Sequence, residues 1–277
     1  MPSDLPPLRE VIARYGLGAR HSLGQHFLLD SNLCRRIALV GGDLTNCNVI
    51  EIGPGPGGLT RAILQSDAKN VTAIEKDRRC IAALNELAEH FPGRLDIVEG
   101  DALAIDETQL TPAPRRIIAN LPYNVATPLL INWLKRVEAY DSLTLMFQKE
   151  VADRLTAKPR TKAYGRLSII TQWLCDVRFV FNIDRRAFTP APKVTSAVVV
   201  LTPRPAPLAH ARFEAMETVT AAAFGQRRKM LRSSLKSLGL DPASVGIPAT
   251  ARAEELDVPA FCTLARAWTE KTNAENQ

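Results

Sequence analysis

Residues 48–58 read Asn48-Val49-Ile50-Glu51-Ile52-Gly53-Pro54-Gly55-Pro56-Gly57-Gly58. A β-branched apolar run breaks into glycines, and the following residues, Leu59 to Gln65, resume with helical patterning. Gly53, Gly55 and Gly58 satisfy the spacing G-x-G-x-x-G, in which glycine permits a tight strand-to-helix turn and lets a ligand come close to the backbone. The stretch predicts a strand, a ligand-cradling turn and a helix, and with them an α/β fold.

The same rhythm continues on the C-terminal side. Val71–Ile74, Leu95–Val98, Arg116–Ala119 and Leu143–Phe147 read as strands. Helical patterns occupy Asp77–Glu89, with apolar Ile81, Leu84, Leu87 and Ala88, and the region of Pro128–Arg136. Alternation of this kind means a parallel sheet with helices on both faces. Arg178–Phe181 and Ala197–Leu201 look like two more strands around the loop Pro190–Pro192. The prolines at 203, 205 and 207 mark the best boundary, and Phe213–Leu238 and Ala249–Thr269 are helical in pattern. The expected organisation is a Rossmann-like α/β domain over residues 1–205 and a small helical C-terminal domain over 206–277.

Glu75 closes the second strand about twenty residues beyond the glycine turn, where a carboxylate is placed to accept from ribose hydroxyls. Asp101 follows the third strand directly and is placed to accept from an adenine amino group, or else to cap a helix. A dinucleotide and S-adenosylmethionine both fit these residues. Pro54 and Pro56 tilt the choice, because each removes an N–H that a pyrophosphate would use. The loop alone leaves both open.

After the fourth strand comes Asn120-Leu121-Pro122-Tyr123-Asn124. With Leu23–Leu28, Glu51–Gly55, Gln148–Val151, Tyr164–Ser168 and Phe188–Val194 in order, the chain over roughly residues 20–240 resembles the ribosomal RNA adenine N6,N6-dimethyltransferases, most of all those of the small subunit. The resemblance implies a methyltransferase sheet, S-adenosyl-L-methionine as cofactor, and dimethylation of two adjacent adenosines near the 3′ end of small-subunit rRNA, coupled to ribosome assembly. It implies that His26, Leu28, Gly53, Gly55, Glu75, Asp101 and Asn120 hold the cofactor. The family often carries Asn where this chain has His26, so the resemblance there extends to the backbone and not to the side chain.

The chemistry explains the residue types. The N6 of adenine is a poor nucleophile because its lone pair is delocalised into the ring. Asn120 Oδ1 and the carbonyl of Leu121 would each accept one N6 hydrogen and draw the nitrogen toward a pyramidal geometry. Pro122 restricts Leu121 to extended backbone and so helps to aim that carbonyl. Tyr123 would stack on the flipped base, and the resemblance makes Phe188 a second wall on the base's other side. The sulfonium is already a strong electrophile, so neither a metal nor a strong base is required.

The 277 residues are 46% hydrophobic and 23% charged, as in an ordinary globular chain, which excludes disorder, collagen and coiled coil. Asp4, Pro6, Pro7, Arg9 and Glu10 interrupt any signal sequence, and no stretch approaches the length of a membrane span. The five scattered cysteines lack metal-clip spacing and predict reduced, packed thiols of a cytoplasmic protein. Thirty-five Lys and Arg against 29 Asp and Glu leave +6, and the surplus lies in the second half. Residues 149–193 carry ten basic side chains against four acidic ones. Lys158, Arg160 and Lys162 form one candidate RNA-contacting loop, and Arg227, Arg228, Lys229 and Arg232 a second cluster on an expected helix whose core face holds Met230, Leu231, Leu235 and Leu238. The expected partner is small-subunit rRNA, within the subunit or its precursor, and nothing demands more than a monomer. The alternatives are a large-subunit rRNA dimethyltransferase, a DNA adenine methyltransferase (disfavoured because 277 residues show no separate target-recognition domain), and a catalytically weak assembly or nucleic-acid-binding factor on the same fold.

Overall fold

A computed structural model of the chain describes residues 5–18, 25–226 and 228–275. Its elements run, in order, α1 (Leu8–Arg14), β1 (Phe27–Leu28), α2 (Ser31–Leu39), β2 (Asn48–Ile52), α3 (Gly58–Leu64), β3 (Asn70–Glu75), α4 (Arg78–Glu89), β4 (Leu95–Glu99), β5 (Arg115–Asn120), α5 (Tyr123–Leu134) and β6 (Ser142–Gln148). They continue with α6 (Lys149–Leu155), α7 (Arg166–Leu174), β7 (Cys175–Ile183), β8 (Phe188–Thr189), β9 (Ser196–Pro203), α8 (Phe213–Gly225), α9 (Leu231–Ser234) and α10 (Val258–Glu275). Among the described residues no helix is long and apolar enough to cross a membrane, and all five cysteines are free and buried.

The chain divides into two units. The first holds the described residues up to Lys149 together with Arg178–Thr202, and the second holds Glu150–Val177 together with those from Pro203 onward. In the first, seven strands form one sheet in the order β4-β3-β2-β5-β6-β9-β7. β2 lies between β3 and β5 and is parallel to both, with Ile50 level with Thr72 on one side and with Ile117 on the other. β4 and β6 extend the parallel set. β9 then enters antiparallel to β6, Met146 facing Val198, so the parallel rhythm read from the sequence stops at the fifth strand of the sheet.

Every residue of β2 is buried, as are the first six of β9. A strand turns alternate side chains to opposite faces, so burial along its whole length means that both faces are covered. α4 shows how a helix supplies that cover. Asp77 caps it by accepting from Arg79 N, and Cys80, Ala83, Leu84 and Leu87 form the buried stripe. Ile81 and Ala88, expected on that stripe, lie at its margin and are half-buried.

The chain leaves β2 toward β3 and β4 on one side and later returns to β5 and β6 on the other. That reversal opens a crevice at the carboxyl ends of β2 and β5, the usual ligand position in such sheets. Ile52, Glu75, Glu99 and Asn120 are the last residues of β2, β3, β4 and β5, so the glycine turn, Glu75, Asp101 and the Asn120 motif are all delivered to that one edge. α5 begins at Tyr123, earlier than the expected start near Pro128. Pro128 sits inside the helix, and Pro122 is the N-cap residue.

The second unit corrects two expectations. Residues 150–177 belong with the C-terminal helices rather than with a 1–205 domain. The reason is packing: α7 rests on α8, with Trp173 against Phe213 at 6.1 Å between ring centroids, while Phe224 of α8 stacks on Phe261 of α10 at 5.7 Å. The expected long helix over Phe213–Leu238 ends at Gly225 and resumes only as the single turn of α9. The backbone amides of Leu231 and Arg232 are diverted to the carbonyls of Ala251 and Ala249, which ends helical pairing there. Leu231 and Leu235 are fully buried as expected, whereas Met230 is 39% exposed.

Candidate active site

The glycine turn is shaped by what closes over it. Gly58 opens α3 at a point where a Cβ would come within 2.5 Å of the carbonyl oxygen of Leu28, a backbone atom that cannot step aside. Gly55 has φ +56°, and a Cβ there would lie 3.0 Å from the Phe27 ring. Glycine at these two positions therefore lets β1 seat directly on the loop. β1 is held in turn by β8, with Leu28 paired to Phe188.

Glu75 pins the same loop from beneath. Its Oε2 accepts from Gly55 N at 2.9 Å, and its Oε1 accepts from the amides of Lys76 and Asp77, both at 2.8 Å. The side chain is buried, and burial pushes its carboxyl above the usual range against the pull of those three N–H bonds. A carboxylate has about four acceptor positions. Three are taken by the backbone, which leaves one, on Oε2. Asp101 is more open. Its Oδ1 accepts from Leu103 N at 3.0 Å in a turn, not at a helix start, and its Oδ2 meets Lys76 Nζ at 2.8 Å. The Lys76 ammonium and the turn amide hold this carboxyl below the usual range.

Asn120 ends β5 with its side chain half-buried. Its Nδ2 donates to the carbonyl of His26 at 3.0 Å, which leaves Oδ1 as the free acceptor of that amide. Leu121 and Pro122 turn the chain into α5, whose first residue is Tyr123. The Tyr123 hydroxyl shares a 2.6 Å hydrogen bond with Ser196 Oγ, fixing the ring by its far end. His26 lies tilted against Tyr123 at 5.6 Å and edge-on to Phe188 at 6.4 Å. Its Nδ1 is 2.8 Å from the carbonyl of Pro190, and because a carbonyl only accepts, Nδ1 carries the hydrogen.

His26, Leu28, Gly53, Gly55, Glu75, Asp101 and Asn120–Tyr123 all line one cavity. Phe188 does not. It is 3% exposed, belongs to the buried core cluster that includes Leu28, and meets His26 edge-on. Glu51 was not singled out from the sequence, yet it lines the cavity and is 1% exposed, its Oε2 buried without a hydrogen-bond partner. Its place two residues before the first glycine was the available signal. The cavity thus offers acceptors for hydroxyl and amine groups, an orphaned acidic oxygen and apolar walls such as Ile74 and Leu103, and these fit an amino-acid-bearing nucleoside.

The basic residues lie in the second unit. Lys158, Arg160 and Lys162 are exposed in the loop between α6 and α7, and Arg228, Lys229 and Arg232 are exposed around the start of α9. Arg227 lies outside the described residues. Arg160 N donates to the carbonyl of Glu254 at 2.7 Å, and Met230 bridges Arg252. Both basic segments are therefore tied to the stretch 252–254 and share one region of that unit.

The chain is similar to known proteins over most of its length. The family model for ribosomal RNA adenine dimethylase matches residues 16–266. A relative from Paramagnetospirillum magneticum named ribosomal RNA small subunit methyltransferase A is 64% identical, covering 98% of this chain and 97% of its own. One of the same name from Rhodospirillum rubrum is 63% identical, covering 96% and 94%. Among solved structures, a dimethyladenosine transferase from Plasmodium falciparum aligns with a TM-score of 0.76 at 26% identity, over 89% of this chain and 98% of its own. The 23S rRNA methyltransferase ErmE aligns at 0.65 and 27%, over 88% and 99%. With the glycine turn, Glu75 and the Asn120 motif gathered at one sheet edge and a family model spanning most of the sequence, the chain belongs to the ribosomal RNA adenine dimethylases, enzymes that use S-adenosylmethionine.

Proposed function

We propose that this chain transfers methyl groups to the N6 atoms of two adjacent adenosines near the 3′ end of small-subunit rRNA, acting as a monomer in the cytoplasm on the subunit or its precursor. The 64% and 63% identity to proteins named for the small subunit supports that choice over the large subunit, whose representative ErmE stands at 27%.

The observation that carries the catalytic reading is the fixed amide of Asn120. Because Nδ2 is committed to His26, Oδ1 is presented as an acceptor without a reorientation cost at the moment of reaction. It takes one N6 hydrogen, the carbonyl of Leu121 takes the other, and the nitrogen lone pair is freed from the ring. Tyr123, anchored through Ser196, supplies the stacking surface. Bound S-adenosylmethionine supplies an electrophilic methyl group. Glu75 and Asp101 hold its nucleoside end, with Gly55 and Gly58 setting how closely the backbone approaches it. Lys158, Arg160, Lys162, Arg228, Lys229 and Arg232 meet RNA phosphates, contacts that position the substrate without reading sequence.

The test is to incubate the protein with methyl-labelled cofactor and unmethylated small or large subunits, then map the modified nucleoside. Label in N6,N6-dimethyladenosine at neighbouring positions of small-subunit rRNA is the expected result. Label in large-subunit rRNA would replace this reading with its nearest alternative.

A further inference from the structure

The two glutamates that line the cofactor cavity are in opposite situations. Glu75 accepts from three backbone N–H groups. Glu51, on β2, is equally deep but has no such set of donors: the Thr60 hydroxyl of α3 favours its charged form, and its Oε2 is buried without a hydrogen-bond partner. An unpaired buried carboxylate carries the full cost of its lost hydration, so the group holds its proton. Burial outweighs the hydrogen bond from Thr60 and, with the charge of Glu75 adding to it, pushes Glu51 up to about 8. The titratable and charged groups around it give no compensating cation. They are Glu75 at the end of β3 and the Cys34 thiol on α2, itself pushed up to about 12 by burial and by Glu51. Farther along the cavity lining lie Lys76, Asp101, His26 and Tyr123, of which Lys76 is engaged by Asp101.

A ligand group that resolves this situation has to donate hydrogen bonds and carry positive charge. Adenine and ribose carry no charge, and a sulfonium has no hydrogen to donate. The α-ammonium at the amino-acid end of the cofactor has both properties. We propose that Glu51 receives this ammonium as its partner and gives its proton to solvent as the pair forms, so that cofactor binding is coupled to proton release. The exchange balances: a neutral carboxyl and an ammonium become a carboxylate–ammonium pair plus one solvated proton, with no other bond made or broken. The inference rests on the reading of this cavity as the cofactor's.

Calorimetry with S-adenosylhomocysteine, which binds without turnover, tests it in buffers of different ionisation heat. At pH 7 the wild-type protein is expected to release close to one proton per ligand bound. Its affinity should rise by up to about tenfold per pH unit between about pH 6 and 8 and then level off. 5′-Methylthioadenosine has the same nucleoside and thioether without the amino-acid end, and it should bind with no such release. Glu51→Gln should abolish the release and flatten the pH dependence. Equal release for the two ligands, or release that survives in Glu51→Gln, overturns the proposal, and the two-ligand comparison needs no variant to fold. Binding of S-adenosylhomocysteine without proton exchange overturns the role of Glu51 alone. Failure of either ligand to bind overturns the reading of the cavity and this proposal with it.

Discussion

The side-chain amide of Asn120 donates to the main-chain carbonyl of His26 across 3.0 Å, joining the end of β5 to the segment that closes over the glycine turn. One end of that amide is a committed donor and the other a free acceptor. An aspartate would be the stronger acceptor toward an amine, but it would set a carboxylate oxygen against the His26 carbonyl oxygen. Asn120→Asp is therefore expected to lower methyl transfer by about ten- to a hundredfold, the cost of about 1–3 kcal/mol for breaking a part-buried hydrogen bond and leaving its acceptor unpaired. Single-turnover transfer to unmethylated subunits measures it. Activity at or above the wild-type level would mean that the His26 contact does not orient the catalytic group.

Tyr123 separates anchoring from stacking. Tyr123→Phe removes the hydrogen bond to Ser196 but keeps the ring, with an expected loss of about 1 kcal/mol in stability and little in rate. Tyr123→Ala removes the stacking surface, worth about 1–3 kcal/mol per base, and should reduce kcat/KM by about ten- to a hundredfold. Equal kinetic defects in the two variants would assign the effect to the hydroxyl.

Glu75→Gln should weaken cofactor binding for a reason beyond a lost ribose contact. Its carboxylate accepts from Gly55, Lys76 and Asp77, and an amide nitrogen on either side would face an N–H instead. The glycine turn loses its anchor, and calorimetry is expected to show affinity reduced by more than tenfold, on the order of 2 kcal/mol. Unchanged affinity would remove Glu75 from the binding site.

Glu51 links pH to stability in the cofactor-free protein. Its folded pKa of about 8 lies above the unfolded value of about 4.3. The folded state holds the extra proton between the two, so the associated stability is fully present below the lower value and is lost as pH rises through the upper one. Glu51→Gln has no such loss. Its melting temperature should exceed that of wild type by a margin that grows from pH 5 to pH 8, measured by thermal denaturation without ligand. A margin independent of pH would mean that Glu51 is ionised throughout.

Reversing charge at Arg228 and Lys229 should lower affinity for ribosomal subunits and make binding less dependent on salt, by about one unit of log–log slope for each phosphate contact removed. Both side chains are exposed. An unaltered salt slope would leave them as solvated surface.

Much of the first unit was legible because its signals are local. The run Asn48–Ile52, the glycines after it and the stripe on α4 each depend on residues within a turn or two, and strand ends followed by Glu75, Asp101 and Asn120 already pointed to one edge of a sheet. The break after Gly225 was not legible. The apolar spacing of Leu231, Leu235 and Leu238 continues as though helical, and only the distant carbonyls of Ala249 and Ala251 draw the backbone away. Residues 150–177 were misplaced for a similar reason, since a helix records in its sequence that one face is apolar but not which neighbour covers it.

The sequence by itself determined that a nucleoside-sized ligand meets an Asn-Leu-Pro-Tyr turn at the ends of parallel strands, because turn geometry, strand pattern and residue chemistry are properties of short stretches. Only the tertiary structure decided that Phe188 is packed into the core, that Glu75 accepts from three backbone amides, and that one oxygen of Glu51 is buried without a hydrogen-bond partner. Each of those depends on which far-off backbone or side-chain atoms arrive beside it, and burial and hydrogen-bond saturation are set by neighbours in space rather than in sequence.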